Sequence, residues 1–394
     1  MKIRLGEDNL IYFLAVEISL PAIKYYLIQG LPNMYIYNGI ANVIISLIII
    51  CFFIPALYIC IKRTPLVTFN IIAISILIYI FEFIIFKDNR STLIEYFPKI
   101  FGMSIACLII SYNLRDFLKL ENVLTRCSYF IILCGFFEFF THTFLGVKGI
   151  EKVDYDMSFG YFLVIPTILV FRHSFQNTGK RKVLDIMVSG IGIVISMLMG
   201  SRGGIIAILL GVIFVFFHEV NVKKNSSVLV FTILLGVVFI FSLNIDDIFV
   251  WINSILQSHG INSRFISYFI SGRLTWNSGR DILQEPVVEL IKKNPIFGIG
   301  MLGDFRSHNI FLENILFYGI PMGICLSIII VYEWLKIFVV KQDEKKRMMM
   351  VLFIYSFIDS FLNLTVLGKD MFWIYLGFAL SDRGLFTNIL KRRL

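Results

Sequence analysis

The chain has 394 residues, a net charge of +9, 58% hydrophobic residues and only 16% charged ones. A soluble domain carries roughly 25% charged residues, so the composition excludes an ordinary water-soluble fold and points to an all-α polytopic membrane protein. The positive charges sit in short clusters between apolar runs, which makes them a mark of topology and not of nucleic-acid binding.

A membrane helix needs about 20 mostly apolar residues. By that measure, spans fall near 9–29, 38–60, 65–86, 93–112, 123–145, 157–173, 183–200, 203–218, 227–249, 319–340, 348–366 and 370–388, about twelve in all. No Pro- or Gly-rich linker or internal repeat divides them, so residues 1–394 read as one integral membrane domain. Lys2 and Arg4 precede the first span as in a signal peptide, but Glu7, Asp8 and Glu17 interrupt it and no small-residue cleavage site follows. It reads as an uncleaved span.

Basic residues fall on every second connection: Lys62 and Arg63, Arg115 and Lys119, Arg172 with Lys180 to Lys182, Lys223 and Lys224, Lys341 with Lys345 to Arg347, and Lys391 to Arg393. The positive-inside rule places these in the cytoplasm, with both termini. The six cysteines lie in or beside apolar runs without a CxxC spacing and read as small hydrophobes, not metal ligands or disulfides.

One connection is not short. Residues 250–318 form a large extracytoplasmic loop, and loops of that length are usually functional. Within it, 278–293 reads as an interfacial helix with Ile282, Leu283, Val287, Val288 and Ile291 on one side; Pro286 is a point of kinking, and Asn294-Pro295 ends it.

The polar residues with chemical potential lie outside the spans. Arg202, in "SRGG", lies in the turn after the seventh span, beside the helix that follows. An arginine beside a helix N-terminus favours an anion; taken alone, Arg202 equally fits an arginine snorkelling to the interface. "SGRLTWNSGRDI" at 271–282 brings Arg273 and Arg280, whose guanidinium groups can hold phosphate oxygens with paired hydrogen bonds or remain solvated. "GDFRSHNIFLENILFYGI" at 303–320 gathers Asp304, Arg306, His308, Asn309 and Glu313. A histidine is the natural general base near neutral pH; Asn309 and Glu313 are spaced to share a helix face. "DYD" at 154–156 could hold a divalent metal but reads more simply as a loop. Glu17, Glu82, Glu138, Glu333 and Asp359 lie within or near spans and read as interhelical contacts; Glu138 and Asp359 are the pair a transporter would use.

Together, "SRGG", "GRLTW" and "NPIFGIGMLGDFRSHNIFLENILFYGI" resemble the O-antigen ligase and O-antigen polymerase superfamily. The shared pattern is an Arg after a Ser, a loop Arg, a Pro-x-x-Gly-x-Gly turn, and a His-Asn that opens a helix carrying a Glu and ending in Gly. The resemblance implies a twelve-span glycosyltransferase of GT-C-like architecture in the bacterial inner membrane, with its site on the outer side. Such an enzyme moves an O-antigen or capsule glycan from an undecaprenyl diphosphate carrier to an acceptor hydroxyl, using neither metal nor other cofactor. It further implies His308 as the base with Glu313 beside it, Arg202 and Arg273 on the diphosphate with Arg280 as the other loop candidate, and Asn309 and Arg306 in support. The undecaprenyl-diphosphate-linked oligosaccharide and membrane lipid are the expected partners, with a chain-length regulator and a flippase as further candidates. Polymerase is the leading reading; a ligase, or a non-enzymatic flippase or transporter, is the alternative.

Overall fold

The structure is a computed structural model and describes residues 6–30, 37–141, 157–199, 202–219, 245–258, 266–267, 270–271, 280–301, 309–341, 343–362 and 369–381. All regular structure among them is helical. In chain order the helices are α1 (Glu7–Gly30), α2 (Asn38–Arg63), α3 (Pro65–Ile85), α4 (Arg90–Phe97), α5 (Ala106–Asn113), α6 (Phe117–Phe140), α7 (Met157–Gln176), α8 (Gly179–Met199), α9 (Arg202–Glu219), α10 (Ile245–Ser258), α11 (Arg280–Lys293), α12 (Ile310–Leu335), α13 (Asp343–Leu362) and α14 (Asp370–Leu380). A π-helical stretch, Pro98–Ile105, joins α4 to α5.

Among the described residues, seven helical segments are long and apolar enough to cross a membrane: Glu7–Ile28, Asn38–Arg63, Pro65–Ile85, Lys87–Asn113, Phe117–Phe140, Ser158–Gln176 and Ile310–Phe338. Four more of the expected spans are helices that, over the described residues, do not reach that measure. The first turn of α8 carries Lys180, Arg181 and Lys182, and that of α13 carries Asp343 and Glu344. Of the spans expected at 203–218 and 370–388, the described residues include apolar helical stretches of 10–17 residues, Gly203–Glu219 and Asp370–Leu380. Most of the span expected at 227–249 lies outside the described residues; α10 begins at Ile245 and runs on to Ser258, into what was expected to be loop. Likewise α12 begins at Ile310, nine residues ahead of the expected span at 319, and takes the end of the large loop into helix.

Lipid accounts for the outer faces of α2 and α3. Val43, Leu47 and Ile54, and Leu66, Leu77 and Phe81, are exposed, a surface that water would not tolerate. Cys51 and Cys325 lie exposed among such residues, whereas Cys60, Cys107 and Cys134 are buried. Prolines 21, 55 and 166 sit inside helices, as neighbouring helices permit within a membrane.

The helices form two compact units. The first contains residues 1–18, 46–123 and 277–394. At one of its ends, connections that carry the basic clusters converge. Arg63 pairs with Glu7, whose carboxylate also accepts from the Arg115 N–H at 2.6 Å and the Asp116 N–H at 3.2 Å. Lys119 pairs with Asp8 at 2.6 Å. Thr64, Asn113, Arg115, Lys345 and Ser381 line one cavity of about 440 Å³ there. The alternation read from the charges therefore brings α1 starts, α2–α3, α5–α6 and the region around Lys345 to one end, as antiparallel spans require. Elsewhere in this unit Asp359 of α13 pairs with Lys369, next to α14, at 3.0 Å, a contact between helices as expected, whereas Glu333 pairs with Lys336 at 2.8 Å one turn along the same helical segment.

The second unit contains residues 19–45 and 124–276. Here α7 packs along both α8 and α9. At one end, Tyr26 donates to the Phe159 carbonyl at 2.7 Å. At the other, Asp185 accepts from Tyr129 at 2.5 Å and from Asn177 at 2.7 Å, with His173 Nδ1 at 3.2 Å, and Arg172 pairs with Glu219 at 3.0 Å. His173, partly exposed, is thus one member of a polar knot around the buried Asp185, in keeping with a structural role.

Candidate active site

The Pro-x-x-Gly-x-Gly turn and the helix after it form one piece of architecture. Asn309 caps α12 from extended backbone: its side-chain oxygen accepts from the N–H groups of Phe311 at 2.9 Å and Leu312 at 3.3 Å. That satisfies two of the donors a helix start leaves open. The Glu313 N–H donates to the Asn309 carbonyl at 2.9 Å, which stacks Glu313 one turn beyond the cap. Glu313 is only 4% exposed, and its place in the first turn lets the helix dipole favour its negative charge. Asn309 therefore works as a cap, and its pairing with Glu313 runs through the backbone.

Gly319 interrupts α12 at φ 77°. The break exists because the turn passes against it. A Cβ on Gly319 would overlap the Ile296 carbonyl, and one on Gly298, at φ 69°, would overlap the Phe317 carbonyl. Three backbone hydrogen bonds close the contact: Ile299 N–H to Leu316 O at 2.9 Å, Gly300 N–H to Phe317 O at 3.0 Å, and Ile320 N–H to Pro295 O at 2.7 Å. Only glycine meets both demands, a left-handed backbone and contact without a side chain. On the helix side, Val287 of α11 is fully buried with Leu316 and Phe317, and Leu290, Ile291, Ile299 and Tyr318 pack around them. Pro286 sits inside α11 without ending it.

The turn is fastened on its far side by residues the sequence did not single out for the site. Glu82, near the end of α3, accepts from the Met301 N–H at 2.8 Å. Asn89, in the connection to α4, donates to the carbonyls of Ile299 at 2.9 Å and Met301 at 3.1 Å. Phe86 lies where a Cβ on Gly300 would project. The visible signal was an acid in an apolar span, Glu82, but its partner could not be read from the sequence. Met301 and Asn309 are thus both held, at the two ends of the segment 302–308.

Asp304, Arg306 and His308 lie in that segment, outside the described residues, as do Arg273 and the pair Asp154 and Asp156. Arg202, expected in the turn, is the first residue of α9, and Arg280, expected within a helix over 278–293, is the first of α11; the described part does not include their side chains. The first turn of α9 shows why "SRGG" needs its second glycine: a Cβ on Gly204 would come within 2.8 Å of the Gly160 backbone in α7. That close approach of two helices is the usual use of small residues in membranes.

Residues 187–327 match a family model described as O-antigen ligase. The match covers Arg202, Arg273, Arg280, Arg306, His308, Asn309 and Glu313, together with the glycine turn and the kinked helix. It supports the O-antigen ligase and polymerase superfamily resemblance on the residues that suggested it. No curated protein matches the chain.

Proposed function

We propose, from the O-antigen ligase match over residues 187–327, that this multi-pass membrane protein is a glycan polymerase. In this reading it transfers a repeat unit from an undecaprenyl diphosphate carrier to the hydroxyl of an acceptor sugar. A glycosyl diphosphate is already activated, so the protein has two tasks: to stabilise the departing diphosphate and to take a proton from the nucleophile. Arginines can do the first in a water-poor site; Arg202 and Arg273 fill that role, with Arg280 as the other loop candidate. His308 does the second as general base, and Arg306 opposes its protonation. Glu313 orients the imidazole from the first turn of α12, and the apolar helices accept the prenyl chain.

What supports the reading is the way the glycine turn and the Asn309 cap hold both flanks of the segment containing His308. A base must sit within hydrogen-bond reach of the proton it takes, so a short segment fixed at both ends suits the task. The arrangement of twelve spans, both termini in the cytoplasm and the large loop outside, belongs to the same proposal. The description of the matched family favours a ligase as the second reading; it uses the same chemistry on a different acceptor.

Purified protein with lipid-linked repeat units tests the reaction. A ladder of products growing on the carrier, formed without added Mg²⁺ or Mn²⁺, is the expected result. Transfer of single preformed chains to a second lipid acceptor would make the protein a ligase, and no transfer at all would leave neither reading standing. A requirement for added metal would redirect attention to Asp154 and Asp156. Reporter fusions at residues 180 and 345 should read cytoplasm and one at 260 the outside; a cytoplasmic signal at 260 removes the outward-facing site.

A further inference from the structure

Three side chains far apart in the sequence meet inside the first unit. Glu17 lies midway along α1, Cys107 is the second residue of α5, and Asp370 opens α14. A carboxylate oxygen of Glu17, the Cys107 Sγ and a carboxylate oxygen of Asp370 all lie within 4.8 Å of one another. Glu17 is 0% exposed. Among the described residues, neither of its oxygens takes a hydrogen bond, from the Cys107 thiol or any other donor, and the buried Oδ1 of Asp370 takes none either.

Such a group needs an explanation. An ion buried without partners costs several kcal/mol, and native structures seldom keep one unless something other than protein atoms satisfies it. Lys369 adjoins Asp370 in sequence, but its ammonium is engaged with Asp359. The scaffold around the cluster is tight: a Cβ on Gly377 of α14 would overlap Ser111 Oγ and the Leu108 carbonyl of α5. Cys107 and Asp370 are therefore carried by two helices in close backbone contact, and Glu17 reaches them from a third.

We propose that Glu17, Cys107 and Asp370 bind one divalent cation of the zinc class. Two carboxylates supply the charge that a divalent ion neutralises. The sulfur selects the ion: magnesium and calcium take oxygen, whereas zinc accepts thiolate and carboxylate together. Zinc sits about 2.3 Å from sulfur and about 2.0–2.2 Å from carboxylate oxygen, so donors as near to one another as these can close on a single ion. On binding, the Cys107 thiol gives its proton to solvent and a sulfur–metal bond forms. The ion ties α1 to the α5–α14 pair and has no part in glycan transfer. Cys107 thereby departs from the expectation that every cysteine is a small hydrophobe. A proton shared by the two carboxyls is the rival account, and it gives the sulfur no role.

The test uses the full chain in detergent, stripped with chelator and then titrated with Zn²⁺ or Co²⁺. One ion per chain is expected by elemental analysis, and the cobalt form should show a thiolate-to-metal band in the near ultraviolet. Cys107→Ser should abolish the band, while Cys60→Ser and Cys134→Ser keep it. Glu17→Gln and Asp370→Asn should each weaken zinc binding by more than the roughly 10- to 100-fold that loss of an outer partner costs. Should Cys107→Ser fail to fold, the wild-type titration decides alone: zinc well below one per chain with no cobalt band overturns the proposal. Equal zinc binding by wild type and a folded Cys107→Ser does so as well. An infrared band of a protonated carboxyl in ion-free protein, lost in Glu17→Gln and unchanged by zinc, would overturn it in favour of the shared proton.

Discussion

The two ends of the first unit are held by different means. At the end that gathers the basic connections, side chains pair with side chains, Arg63 with Glu7, Lys119 with Asp8 and Lys345 with the Ser381 hydroxyl at 2.9 Å, and Glu7 adds bonds to the Arg115 and Asp116 amides. At the opposite end, side chains bind backbone. Glu82 and Asn89 grip the amide and carbonyl groups of 299–301, and glycines let that turn lie against the break in α12. An exposed charge pair such as Lys119–Asp8 tolerates sliding and substitution, because it contributes little and water competes for both partners. A backbone clamp does not, because every bond fixes the course of the chain itself. A segment that must place a catalytic group belongs at the second kind of end.

This contrast can be broken in four ways. The largest effect should come from the segment that the clamp presents: His308→Ala is expected to lose about 100- to 10,000-fold in transfer rate with normal yield and melting temperature. Activity within a few-fold of wild type would remove His308 as the base. Next, Arg202→Lys and Arg273→Lys should each fall by roughly 100-fold despite the retained charge, since a lysine lacks the paired fork. Normal polymer length in both would dismiss the diphosphate clamp.

The third substitution strikes the turn. Gly300 holds φ 82° with the Phe86 ring against it, so Gly300→Ala meets backbone strain of about 1–3 kcal/mol together with a collision. Both melting temperature and rate should drop, whereas Gly102→Ala, where a Cβ meets nothing within 4 Å, should leave both unchanged. Equal behaviour of the two would show that the turn is not tightly held. The smallest effect compares the ends directly. Glu82→Ala leaves the buried Met301 amide without its acceptor, a cost of about 1–3 kcal/mol, and should slow transfer several-fold; Glu82→Gln, which keeps an acceptor oxygen, should slow it less. Lys119→Ala, at the charge-paired end, should change neither rate nor stability measurably. If Lys119→Ala proved as damaging as Glu82→Ala, the distinction between the ends would collapse.

The sequence by itself determined whatever depends on neighbours along the chain. Within the described residues the apolar runs of span length are helices, since a backbone in lipid must satisfy its own hydrogen bonds, though α12 starts well ahead of its expected limit. A helix stands where one was expected at 278–293, as α11, Arg280–Lys293, and the helix expected after His-Asn starts at Ile310 and breaks at Gly319, because a cap and a left-handed glycine are local signals. The charged first turns of α8 and α13 show the limit of that approach: charges at a helix end shorten the apolar stretch, so a count of spans blurs there. Only the tertiary structure decided which acid meets which partner. Glu82 and Met301 stand 219 residues apart, and Glu17, Cys107 and Asp370 come from three separate helices. Along the chain each looks like any other polar residue in an apolar span. Their meaning depends on helix rotation and depth, which packing sets: glycines such as Gly377 and Gly204 admit a neighbour's backbone at one place, and that contact fixes which side chains face each other.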